Sequence, residues 1–177
     1  MVRAMMRNSV MRRSLLALFV LMLWWPGEAS AFTADKRDTL RGLTELSVLV
    51  EYLPDEIERD GLNRDQLKHD IELRLRGAGL RVLTTAETAK APGAPYLYLM
   101  VYAVTSPSIN LQGYGVVLVL KQLVQLSRFP ATELFATTWD GPALPSVLGP
   151  PKAGEIRSRI FDAVERFLID YQAVNQK

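Results

Sequence analysis

"YGVVLVLKQLVQLSRFPATELFATTW", Tyr114 to Trp139, decides the fold. Tyr114 to Arg128 reads as one long strand, Phe129-Pro130 as a turn, and Ala131 to Trp139 as the strand returning beside it in a hairpin. A loop of two residues (Phe129-Pro130) and one of four (Arg128 to Ala131) predict the same register, pairing Trp139 with Leu120 and Phe135 with Val124. One face of the hairpin then carries Leu118, Leu120, Val124, Leu126, Phe135 and Trp139. The other carries Lys121, Gln125, Ser127, Thr132, Thr138 and Asp140 and is much wetter. Trp139 is therefore expected in the core, and only an odd-length loop or a bulge would reverse the assignment.

Upstream, "YLYLMVYAV" (Tyr96 to Val104) is a strand apolar on both sides. "LSVLVEYL" (Leu46 to Leu53) alternates as a strand, and "LRVLT" (Leu80 to Thr84) is a shorter one. Between these two, Asn63 and Gln66 have capping-box spacing, and Leu67, Ile71 and Leu75 form one helical stripe. Gly77 and Gly79 end that helix, with Arg74 and Arg76 near its negative pole. A second helix from about Ala153 to Ala173 has a regular stripe of Ile156, Ile160, Ala163, Val164, Phe167, Leu168 and Tyr171. The order β-α-β-β-β-β-α predicts an α+β single domain over residues 44–177, with a mixed, mostly antiparallel sheet and two amphipathic helices packed on one face. Residues 32–43 are expected to be a flexible lead-in.

This element order is similar to that of the TolB N-terminal domain and of CsgG-like periplasmic modules, over most of residues 44–177. The resemblance implies a periplasmic protein-interaction module without catalysis.

The first 31 residues read differently. Arg3, Arg7, Arg12 and Arg13 precede the apolar run Leu15 to Trp25, and Ala29 and Ala31 give a small-x-small cleavage pattern. Basic, apolar and small regions in that order predict a secretory signal cleaved after Ala31. Eleven apolar residues are too few for the roughly 20 of a membrane-spanning helix. "RRSLL" (Arg12 to Leu16) partly matches a twin-arginine signal, but the core of the leader is more apolar than such signals carry. The expected location is periplasmic, with no stable transmembrane anchor after cleavage.

Charge follows the same division. The chain has 21 Lys+Arg and 19 Asp+Glu; residues 1–31 hold four arginines and one glutamate, leaving 17 basic and 18 acidic residues, a net charge of −1. The basic balance belongs to the leader and predicts no nucleic-acid surface. The absence of cysteine excludes disulfides, thiolate metal sites, a cysteine nucleophile and a lipoprotein anchor.

Catalytic and cofactor patterns fail one by one. His69 is the single histidine, and Asp65 and Glu72 stand at helical spacings from it, the pattern of a solvated, ion-paired face rather than of a metal site. A serine hydrolase would need that histidine as base, and no Gly-x-Ser-x-Gly elbow exists. "GAG" at Gly77 to Gly79 closes a helix, whereas a dinucleotide site needs glycines opening one. "GPPKAGE" from Gly149 has phosphate-loop glycine spacing, but Pro150 and Pro151 remove the donors a phosphate needs. No catalytic residue, cofactor or metal is expected.

Two features remain as candidate binding surfaces. Tyr96, Tyr98 and Tyr102 alternate with Met100 along one side of their strand, and Leu97, Leu99, Val101 and Ala103 make the other side equally apolar. The ordinary expectation packs the tyrosines on the helices with their phenols at the rim. The alternative leaves an aromatic face able to grip a peptide, a glycan or a lipid. Whichever side is inward, the other lacks an obvious cover.

The second feature is the twelve-residue loop Gly141 to Lys152, with four prolines. Leu144, Pro145, Val147 and Leu148 are its candidate contact residues, set against the plainer expectation of a strap across the sheet end. A protein-interaction module for an envelope partner is the leading expectation, and a small-ligand binder the second. A homodimer through an edge strand is compatible with both.

Overall fold

In a computed structural model the chain is described over residues 35–106, 111–141, 147–148 and 152–175. The leader expected over 1–31, and Leu144 and Pro145 of the candidate loop, lie outside these residues.

Six strands form one sheet: β1 (Glu45–Val50), β2 (Arg81–Val82), β3 (Tyr96–Ser106), β4 (Leu111–Leu126), β5 (Phe129–Asp140) and β6 (Val147–Leu148). Their order is β2-β1-β3-β4-β5, and β6 pairs with β4 at Gly113 and Tyr114. β1 is parallel to both β2 and β3, whereas β3, β4 and β5 form an antiparallel meander. The helices are α1 (Asp55–Arg59), α2 (Arg64–Gly77), α3 (Thr85–Thr88) and α4 (Ala153–Asn175). The α+β class and the two helices on one face are as expected.

Each long helix forms for legible reasons. Asn63 accepts the Gln66 backbone N–H at 2.9 Å, the forward half of a capping box. Gly79, at φ +89°, takes the left-handed position after α2 and lets the Leu80 N–H return to the Leu75 carbonyl at 3.1 Å. Leu67, Ile71 and Leu75 are fully buried and contribute about 2 kcal/mol each by leaving water. The α4 stripe from Ile156 to Leu168 is buried in the same core. The start of α4 is capped from far away, by Asp60 accepting the Ala153 N–H at 2.5 Å.

Leu46, Val48 and Val50 of β1, Leu97, Leu99 and Val101 of β3, and Tyr114, Val116, Leu118 and Leu120 of β4 meet these helices. Trp139 joins them, fully buried, as expected.

The hairpin register is where the structure departs from the sequence reading. Leu120 pairs with Trp139 as expected, but Lys121 pairs with Thr137, so Thr138 is an extra residue in β5. From there the phase shifts, and Phe135 faces Leu123, not Val124. A second irregularity pairs Leu126 with Phe129 and makes Ser127-Arg128 the turn, with Phe129 and Pro130 inside the strand. Phe135 thus leaves the face of Trp139 and stands 51% exposed on the other side.

The lead-in expected to be loose is in part anchored. Lys36–Leu40 is a 3-10 turn whose Leu40 is fully buried. Asn175 at the end of α4 donates to the Leu40 carbonyl at 2.8 Å and accepts from the Gly42 N–H at 2.7 Å. Thr39 donates to the Thr138 carbonyl at 2.9 Å, and Lys36 meets Asp140 at 3.1 Å.

Candidate functional site

The helices cover the Leu97, Leu99 and Val101 side of β3, so Tyr96, Tyr98, Met100 and Tyr102 lie on the opposite face, all half-buried. This overturns the expectation that the tyrosines pack on the helices. Leu97, Leu99 and Val101 are smaller and wholly apolar, so they pack against Leu118 and the helix stripes without a phenol to satisfy. The two long helices pack on the other side, and the short helix α3 borders the tyrosine face at one end.

Register builds the rest of that face. Ser47 and Leu49 of β1 sit beside Tyr96 and Tyr98, and Val117, Val119 and Lys121 of β4 oppose Met100, Tyr98 and Tyr96. Leu49 is 46% exposed. The Tyr96 ring meets the edge of Phe135, brought across by the bulge, at 5.5 Å between centroids. Lys121 places its ammonium 4.7 Å from the centre of the Tyr98 ring.

Two tyrosines are held in place. Tyr98 donates to the Glu51 carboxylate; that bond, then burial, holds its phenol pKa above the usual tyrosine range. Tyr102 lies across Gly115, its partner in β4: a Cβ there would fall 2.3 Å from the ring. The glycine is what lets the ring lie flat on the backbone.

At one end the face deepens into a groove of about 300 Å³. Ser47, Leu49, Tyr96 and Tyr98 line its sheet side, Leu83, Thr85, Thr88 and Ala89 come from around α3, and Phe135 also contributes. β2 pairs with β1 only at Glu45 and Leu46, so Val48, which lines the groove, has no β2 partner. α3 owes its position to a full capping box, Thr84 with Glu87. The T-x-x-E signal at residues 84–87 was present in the sequence and would have found it.

The candidate loop divides. Val147–Leu148 is strand β6, which extends the sheet beside Gly113 and Tyr114 and gives this part of the loop the character of a strap. Nearby in the core, Tyr114 is buried, and burial followed by the Glu155 carboxylate pushes its phenol pKa up. Neither the Tyr114 hydroxyl nor Arg159 Nε has a hydrogen-bond partner among the described residues.

Asp65, His69 and Glu72 do not converge. Asp65 and His69 are exposed, and Glu72 bonds Arg76 at 2.9 Å. Among the described residues no three acidic or histidine side chains gather where a metal could sit, and no helix is long and apolar enough to cross a membrane.

No family model matches the chain, and no curated protein or solved structure matches it.

Proposed function

We propose that this protein is an exported, non-catalytic interaction module that docks an envelope protein on its tyrosine face. The observation that carries this reading is the half-exposed aromatic row of Tyr96, Tyr98 and Tyr102, on the face opposite the core packed by the two long helices. Aromatic side chains with one polar end and few rotatable bonds suit a contact surface, because little entropy is lost when a partner orders them. The basic and apolar leader at residues 1–31 supports a periplasmic location after cleavage. The element order read from the sequence, which resembles that of TolB N-terminal and CsgG-like modules, implies the same kind of protein.

In-cell photo-crosslinking tests it. A probe at Leu49, on the tyrosine face, is expected to capture one defined envelope protein; a probe at Leu73, 51% exposed on α2, is not. Equal capture at both positions, or none at Leu49, overturns the proposal.

The groove favours a second reading, a small apolar ligand. Its volume of about 300 Å³ is at the lower end for ligand sites, and its lining is mostly apolar. Tyrosine fluorescence titrated with short acyl chains or wall fragments is expected to change for the native protein and not for Tyr96→Ala. An unchanged signal across the series removes this reading.

A further inference from the structure

β5 is the last strand on its side of the sheet, and among the described residues its outer edge pairs with no other strand. The direction of its free groups follows from β4. Leu123 donates its N–H away from β5, to the Gly93 carbonyl at 2.7 Å. In an antiparallel pair, the residue opposite one that points away also points away. Leu123 faces Phe135, Gln125 faces Glu133 and Lys121 faces Thr137, so Glu133, Phe135 and Thr137 turn their backbone N–H and C=O groups outward.

Natural edges are protected by lysines, prolines or bulges. β5 has Pro130 near one end and the Thr138 bulge near the other, where the 3-10 turn also bonds the Thr138 carbonyl. Between them Ala131 to Thr137 contains one charge, Glu133, and no proline. Leu134 is 40% exposed and Phe135 51% exposed. The unprotected window is bounded at both ends.

We propose that this edge pairs with the same edge of a second copy, antiparallel and centred on Phe135. A second copy presents an unprotected window of the same length, bounded by the same proline and bulge. The charge pattern then narrows the register, since centres beyond Phe135 run the pairing into the Thr138 bulge. Centring on Glu133 would oppose two carboxylates, and centring on Leu134 would set them diagonally adjacent. Centring on Phe135 opposes Glu133 to Thr137 and separates the two carboxylates by four residues, roughly 13 Å. Both Phe135 rings then lie on the tyrosine side, where each already meets its own Tyr96. The two-fold axis runs through the sheet, so the two tyrosine faces become one continuous surface. This pairing does not depend on what that surface binds.

Sedimentation velocity of the purified protein over a concentration series tests the pairing. Native protein is expected to dimerise. Glu133→Pro removes an outward N–H and leaves the β4–β5 backbone ladder intact, losing only the side-chain bond from Gln125 at 3.0 Å. It is expected to stay monomeric with unchanged circular dichroism and a thermal midpoint that no longer depends on concentration. The register is read separately, since the chain has no cysteine of its own. Phe135→Cys is expected to form a disulfide-linked dimer on mild oxidation, because opposed hydrogen-bonded residues have Cα atoms about 5.5 Å apart. Glu133→Cys is expected not to. Native protein that stays monomeric at every concentration, a dimer that survives Glu133→Pro, or Glu133→Cys crosslinking as readily as Phe135→Cys each overturns the proposal.

Discussion

The Trp139 indole N–H donates to the buried Asp170 carboxylate at 3.1 Å, joining the end of β5 to the C-terminal part of α4. Arg166 approaches the other Asp170 oxygen at 3.4 Å, and the Phe167 ring stands edge-on to the indole at 5.1 Å. The largest side chain of the core thus also satisfies its one buried carboxylate among the described residues. Trp139→Phe keeps most of the ring and strands the acceptor. A loss of about 2 kcal/mol is expected in urea unfolding, from a buried carboxylate oxygen left without its donor and from a smaller ring. Asp170→Asn keeps an acceptor for the indole and is expected to lose less. Equal losses would show that the bond is incidental.

Gly115 and Tyr102 form a second testable pair. Gly115→Ala drives the Tyr102 ring off the backbone, at a cost of about 1 kcal/mol. In a Tyr102→Ala background the same alanine has nothing to displace, and its cost is expected to vanish. A double-mutant cycle measures the coupling directly, and additive effects would refute it.

Helix α4 begins under a cap supplied by Asp60. Asp60→Ala is expected to destabilise the protein by about 1 kcal/mol, whereas Asp60→Asn retains the acceptor and most of the stability. Chemical unfolding of the two variants distinguishes a cap from a surface charge, which would make them equivalent.

The tyrosines make a prediction about pH. Tyr98 and Tyr114 both have pKa values raised above the ordinary value of 10.0. Each favours the folded state in its neutral form, so that stability is fully present below the unfolded pKa and is lost as pH rises through the folded one. Phenolate absorbance is expected to show Tyr98 and Tyr114 titrating late. Glu51→Gln is expected to bring Tyr98 down, since the Glu51 bond is its largest cause, and to leave Tyr114 unchanged, since burial comes first there. A Tyr114 shift that follows Glu51 would contradict this division.

The long elements were legible because periodicity accumulates. Seven stripe positions from Ile156 to Tyr171 leave little choice of helix face, and the recurrence of Leu46, Val48 and Val50 marks the inner side of β1. The short elements α1, α3 and β6 carry too few residues for a period, although the cap at Thr84 was readable. The candidate site was half legible. Alternation placed Tyr96, Tyr98 and Tyr102 on one face, but with both faces apolar, side-chain pattern alone does not say which one meets the helices. Phe135 was misplaced for a sharper reason: one bulged residue at Thr138 reverses the facing of every residue before it, and nothing in Ala136-Thr137-Thr138 announces it.

The Asp60 cap has a kinetic consequence. Its carboxylate and the N–H it serves are 93 residues apart, so the α4 start cannot be secured until chain from both halves has met. The β3–β4–β5 meander needs only neighbouring contacts and is free to assemble early. β1 must instead be inserted between β2 and β3, in parallel with both. Folding is therefore expected to proceed outward from the meander, with α4 docking last and Asp60 closing the structure, and Asp60→Ala to speed unfolding far more than it slows folding.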